Sequence, residues 1–296
     1  MPELKTAEIN GIEMRYAIAG AGPAIFFLHG FPEYWGVWRE QLAAFSADHL
    51  VVAPDLRGMG GTSRPSDVSE YHIDHLVGDI KALADHLGVE RFHLVAQDWG
   101  GLMAWPFVIR HPEYVETFSV IDITHPALFN RSLQQDPAQQ EASQYMLAFR
   151  ADGESMIKAD DYAFAKGAIF EDIKAHGGVL DPALEAEWWQ LLRDDGHITA
   201  GLNYYRAAEI GPPSAGSPGG SNLIAGLSPE QLQVTCPVLI LWAREDPYLL
   251  PTGLDGIESY VPNVTVKMID GVSHWLSLER PQLVTDELRQ FFRAHV

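Results

Sequence analysis

Residues 92–101 read Phe92-His93-Leu94-Val95-Ala96-Gln97-Asp98-Trp99-Gly100-Gly101, an apolar run that ends in small residues around one acidic side chain. The pattern predicts a strand turning sharply into a helix, with Asp98 at the tip of the bend. Ala96, Gly100 and Gly101 are small enough for the backbone to turn and for helix to pack on strand. In serine enzymes the same bend reads G-x-S-x-G; here the tip is a carboxylate. That group is poorly suited to peptidase-type acyl transfer, because the mixed anhydride it would form is itself reactive. It suits displacement at saturated carbon, which leaves an ordinary alkyl ester for a second step to hydrolyse.

The surroundings of this bend repeat its logic. Ala24 to Leu28, Leu50 to Pro54 and Val115 to Ile121 read as further buried strands, the first ending at His29-Gly30. Between them, Ile73, Leu76, Val77, Ile80, Leu83, Ala84 and Leu87 recur at helical spacing over Tyr71 to Leu87, one face of a helix that packs on a sheet. Strands with helical crossovers imply a mainly parallel sheet covered on both faces. From Thr124 to Leu232 the texture changes to helix-forming stretches with aromatic pairs, Trp188-Trp189 and Tyr204-Tyr205, and a Gly/Pro/Ser-rich connector at 211–221. Strands resume at Val238 to Trp242 and Val264 to Met268. The expectation is an α/β core from residues 1–123 and 233–296, with residues 124–232 forming a helical cap over the sheet's carboxyl edge, where open α/β sheets carry their sites.

Composition narrows the partners. With 40 acidic against 20 basic residues the formal charge is −20, which argues against nucleic acid and anionic membrane surfaces. The single cysteine, Cys236, has no internal disulfide partner and is expected to be a buried small hydrophobe before a strand. No signal-like or bilayer-length apolar stretch is present in the sequence, so a cytosolic protein is expected. No metal or organic cofactor is implied, and a monomer or homodimer is the default.

Three groups fall just after expected strands: Asp98, Asp246 and His274. In that order they are a nucleophile, an acid and a histidine that activates water while the acid orients it. Each has a plainer reading alone. Asp98 suits a helix N-cap, Asp246 in Arg244-Glu245-Asp246-Pro247 suits a turn, and His274 is one of twelve histidines. Their joint order at strand ends is the signal. Asp122, in Ile121-Asp122-Ile123, is a second candidate for the acid. The segment His29-Gly30-Phe31-Pro32-Glu33 follows the first buried strand, where the backbone N–H groups of Phe31 and Trp99 would face one Asp98 oxygen. Two such donors would stabilise a tetrahedral oxyanion by roughly 3–4 kcal/mol each.

Four segments together resemble the α/β-hydrolase-fold epoxide hydrolases: His29-Gly30-Phe31-Pro32-Glu33, Pro54-Asp55-Leu56-Arg57-Gly58-Met59-Gly60, Gln97-Asp98-Trp99-Gly100-Gly101 and Ser273-His274-Trp275-Leu276. The resemblance implies that two cap tyrosines hold the epoxide oxygen. Tyr205, in Gly201-Leu202-Asn203-Tyr204-Tyr205-Arg206, matches the second, and Tyr145, in Ser143-Gln144-Tyr145-Met146-Leu147, is taken as the first. It further implies a small apolar epoxide and water as reactants. Haloalkane and haloacetate dehalogenases share the fold, the aspartate and the histidine, and stand as the alternative. Against them, Phe31 offers no side-chain donor where haloalkane enzymes usually place a halide-binding residue. Trp99 stands where haloacetate enzymes usually place arginine. A hydrolase-fold protein that only binds a small apolar ligand is the remaining reading, and retention of nucleophile, base and both candidate acids argues against it.

Overall fold

Two strands precede those expected from the sequence. In the computed structural model, which describes residues 2–295, β1 (Glu3–Ile9) and β2 (Ile12–Ala19) pair antiparallel across Asn10-Gly11. Both turn residues take positive φ, 48° and 80°, the backbone that Asn-Gly accepts most readily in a two-residue hairpin. The remaining strands are β3 (Ala24–Leu28), β4 (Leu50–Pro54), β5 (Phe92–Gln97), β6 (Val115–Ile121), β7 (Val238–Ala243) and β8 (Val264–Ile269). They form one eight-stranded sheet in the order β1-β2-β4-β3-β5-β6-β7-β8. β2 runs antiparallel to β4, and every pair from β4 to β8 is parallel. β3, β5 and β7 are buried along their whole length, as near-continuous apolar strands covered on both faces must be.

The flanking helices are α1 (Arg39–Phe45), α2 (Ile73–Leu87), α3 (Asp98–Arg110), α10 (Leu276–Glu279) and α11 (Pro281–Arg293). In α2 the expected apolar stripe is the buried one over Ile73, Leu76, Val77, Ile80, Leu83 and Ala84, with Leu87 half-buried at its end. Burying each of Ile73, Leu76, Val77, Ile80 and Leu83 is worth roughly 1.5–3 kcal/mol relative to exposure. The helix stops at Gly88, whose φ of 67° is the left-handed conformation that closes helices. Between β6 and β7 the described residues add no strand to the sheet. They form α4 (Pro126–Gln135), α5 (Pro137–Ala142), α6 (Gln144–Ala165), α7 (Asp172–Ala175), α8 (Pro182–Leu192) and α9 (Asp195–Ala208). α6 is interrupted at residues 159–162, where Asp160, Asp161 and Tyr162 carry φ of 48°, 55° and 63°. Among the described residues no helix is long and apolar enough to cross a membrane.

Topology explains why far-apart residues meet. β3, β5, β6, β7 and β8 are parallel neighbours, so their carboxyl ends lie along one edge. His29, Asp98, Asp122, Asp246 and His274 all follow those ends. Cys236 precedes β7 as expected but is half-buried rather than buried. It packs against the core, and burial pushes its thiol up to about 12.

Candidate active site

Asp98 opens α3 with a φ of 46°, a left-handed conformation that non-glycine residues adopt reluctantly. Of the two glycines that follow, Gly100 is required by contact and Gly101 is tightly enclosed. A Cβ on Gly100 would lie 2.4 Å from the Leu28 carbonyl oxygen, and one on Gly101 would lie 3.0 Å from Ile123 and Val120. Gly30 faces the bend from the other side, where a Cβ would sit 2.4 Å from the Asp98 side chain. The loop after β3 therefore comes close enough for the Phe31 N–H to donate to Asp98 Oδ1 at 2.7 Å. The Trp99 N–H, expected as a second donor, makes no hydrogen bond to this carboxylate; only one of the two is engaged in this side-chain position.

The histidine stands on the other oxygen. His274 Nε2 is 3.5 Å from Asp98 Oδ2, and its Nδ1 is 2.7 Å from Asp246 Oδ2. Asp246 Oδ1 in turn accepts the N–H groups of Tyr248 and Leu249 at 2.7 and 3.0 Å, which fixes the carboxylate in its turn. Burial alone would depress the imidazole. The charge and hydrogen bond of Asp246, with Asp98 beyond, outweigh it and hold His274 well above its ordinary value. Asp246 and not Asp122 thus grips the ring. Asp122 is wholly buried beside them, its Oδ1 accepting the Ala243 N–H at 2.5 Å and its Oδ2 without any partner.

A largely apolar cavity lies above these groups. Its floor is Asp98, His274, Phe31 and Pro32, and its roof includes Tyr145, Phe149, Phe164 and Tyr205. Tyr145 and Tyr205, on α6 and α9, come together there with ring centroids 6.4 Å apart. Burial first pushes both phenols well above 10. The nearby Asp98 charge adds to it, so both stay protonated. Adjacent Tyr204 points elsewhere, donating to the Arg57 carbonyl at 2.8 Å. The helical block is tied to the floor by Trp188 Nε1, which donates to the Pro32 carbonyl at 2.9 Å, and by Trp275 Nε1, which donates to that of Ala168 at 2.8 Å. His197 adds a contact to the same Pro32 carbonyl at 3.2 Å, its other nitrogen accepting the Gly60 N–H.

Comparison with known proteins agrees with this geometry. A family model described as alpha/beta hydrolase fold matches residues 23–281. The chain is 31% identical to epoxide hydrolase 2 of Caenorhabditis elegans, over 97% of this chain and 79% of that one. It is also 31% identical to epoxide hydrolase 3 of Xenopus tropicalis, over 96% and 76%. The crystal structure of Bacillus megaterium epoxide hydrolase in complex with an inhibitor aligns with a TM-score of 0.87 and 32% identity, over 98% of this chain and all of that one. The chain belongs to the epoxide hydrolases of the alpha/beta hydrolase fold.

In this family member, sequence reasoning left a buried network behind the nucleophile unassigned. Glu33 is wholly buried, and burial pushes its carboxyl up to about 7. Its Oε2 accepts the Gly30 N–H at 2.5 Å and its Oε1 accepts Gln97 Nε2 at 2.6 Å, while Gln97 Oε1 accepts Ser277 Oγ at 2.6 Å. The chain of bonds locks the Phe31 loop to the residue before Asp98 and to α10. His29 braces the same loop. Its Nε2 accepts the Leu56 N–H at 3.0 Å, which leaves the proton on Nδ1 to donate to the Gly30 carbonyl. Only the presence of Glu33 and Gln97 inside the two motifs hinted at this role. Tyr248, a third phenol lining the cavity, carried no sequence signal at all.

Proposed function

We propose that this chain hydrolyses apolar epoxides to vicinal diols through a covalent alkyl ester on Asp98. One Asp98 oxygen attacks an epoxide carbon, the C–O bond breaks, and Tyr205, with Tyr145 beside it, donates a proton to the departing oxygen. Phenols held well above 10 are suited to this, because they reach the site still protonated. Esterification removes the negative charge beside His274 Nε2, one of the groups that favour the imidazolium, so the ring releases its resting proton to solvent more readily and stands neutral at the point where a base is needed. His274 then takes a proton from water, whose oxygen attacks the Asp98 Cγ, and Asp246 steadies the imidazolium. The Phe31 N–H, joined by that of Trp99 as the carbon becomes tetrahedral, stabilises the oxyanion. Collapse breaks the ester, His274 returns its proton to the leaving oxygen, and the proton left on the Asp98 carboxyl restores the phenol.

The observation that carries this reading is the convergence of carboxylate, imidazole and two phenols on one apolar cavity. Residues 1–123 and 233–296 form its floor in this reading, and 124–232 act as the cap that excludes water and supplies the phenols. A halide-releasing enzyme would share Asp98 and His274, and the Trp99 indole N–H, buried without a partner, lies outside the residues that line the cavity. Bromide release from a bromoalkane is therefore the control for the test. That test is a single turnover of styrene oxide in heavy-oxygen water. The first diol should carry unlabelled oxygen drawn from Asp98. Label in that first product would exclude the ester.

A further inference from the structure

Asp122 is the buried group that the mechanism above leaves unused, and its surroundings are specific. Its N–H continues the ladder to β7, donating to the Leu241 carbonyl at 3.0 Å, and its Oδ1 accepts the Ala243 N–H. Both bonds fix it to the strand that leads into Asp246. Asp122, Asp246 and His274 each bring one polar atom within 4.8 Å of the others. Asp122 Oδ2 is buried with no donor to accept from, although an ionised carboxylate removed from water demands donors on both oxygens. Both Asp246 oxygens are already engaged, Oδ1 by two N–H groups and Oδ2 by the imidazole. Two buried carboxylates so close cannot both hold a charge against a single imidazolium.

We infer that Asp122 and Asp246 work as one two-carboxyl unit, with the proton on Asp122 Oδ2 directed at the Asp246–His274 hydrogen bond. The inference rests on the proposal that His274 is the base of ester hydrolysis. Asp122 is a positioning residue in this arrangement: as a neutral acid it donates to the pair and keeps Asp246 oriented on the imidazole. It is also a reserve acid, because removal of Asp246 takes away one of the influences, after burial itself, that keep the proton on Asp122. The groups that face Asp122 pull both ways, and the balance favours the protonated carboxyl. Burial and the charges of Asp246 and Glu279 favour its neutral form, and they outweigh His274 and the Ala243 N–H, which oppose it.

The test follows the Asp98 ester, formed with styrene oxide and quantified by mass spectrometry after acid quench, across pH 5 to 10. Asp122→Asn keeps a donor and should slow ester hydrolysis only about threefold, with the pH profile retaining its shape, whereas Asp122→Ala should slow it about thirtyfold. Asp246→Ala should slow it on the order of a hundredfold or more. The remaining rate should fall at least about tenfold further in Asp122→Asn/Asp246→Ala, the loss expected when two groups stand in for one another. The same comparison with Asp246→Asn guards against a failure of Asp246→Ala to fold. Equal slowing by Asp122→Asn and Asp246→Ala would overturn the neutral form. A double variant no slower than Asp246→Ala alone would overturn the reserve role. Absence of any Asp98 ester in the unsubstituted enzyme would instead overturn the proposed function on which this rests.

Discussion

The floor and the roof of the cavity are held by different forces. On the floor, Asp98, Asp246 and the Phe31 loop are fixed by hydrogen bonds of 2.5–3.0 Å between backbone and side chain at the ends of parallel strands. In the roof, Tyr145, Phe149 and Tyr205 are placed by aromatic edges meeting faces, with centroids 5.2–6.4 Å apart. Such contacts are worth about 0.5–1.5 kcal/mol each beyond the area they bury. They define a surface without defining one atom's position. In the proposed mechanism the floor therefore sets which bonds are made and broken, and the roof sets what is admitted and where a proton is delivered.

Kinetics and melting curves of single variants separate the two regions. The largest effect belongs to the floor. His274→Gln should slow ester hydrolysis by roughly 10³-fold or more while the first step survives, so that the Asp98 adduct accumulates and is seen by mass spectrometry. Slowing without accumulation would place His274 in the first step. A smaller effect belongs to the roof: Tyr205→Phe should slow ester formation by about 10²-fold with hydrolysis almost unchanged. Tyr204→Phe should affect only the melting temperature, because its hydroxyl serves the Arg57 carbonyl. Equal kinetic losses in both variants would show that the roof acts by packing alone.

Acid should loosen the brace of the floor. Burial holds His29 and His197 down to about 4. Between pH 6.5 and about 4 the unfolded chain takes up protons that the folded one refuses, so their contribution is present above 6.5 and lost as pH falls. A buried histidine shifted that far accounts for on the order of 3 kcal/mol at neutral pH. Melting temperatures across that window should fall with pH, and His197→Gln should flatten the slope; an unaltered slope would refute the assignment. The smallest effect tests the tie between the two regions. Trp188→Phe removes one donor to the Pro32 carbonyl and should cost about 1 kcal/mol, read as a drop of about 2 °C by calorimetry.

Legibility followed the same division. The parallel strands, the bend at Asp98 and the helix ending at Leu87 were readable because continuous apolar runs, a period-3.6 pattern and small residues report local backbone needs. The β1–β2 hairpin went unread although Asn10-Gly11 marks it, because β1 lies at the sheet edge and is mostly exposed, without a buried apolar run. Glu33 and Gln97 stood within recognisable motifs, but their bond to one another spans 64 residues, and no local pattern reports such a pairing.

By itself the sequence determined that a carboxylate would stand at a strand-to-helix bend, with an acid and a histidine following later strands in order. Those facts depend on local turn chemistry and on periodicity along the chain. Tertiary structure alone decided that Asp246 holds His274 while Asp122 is buried beside it with one oxygen unpaired. It also turned Tyr205 into the cavity and Tyr204 away, and gave the Phe31 N–H to Asp98 before that of Trp99. Each of those choices lies between candidates that the sequence treats alike. Only the packing of elements distant along the chain separates them by an ångström or two, and hydrogen bonding is selective at that distance.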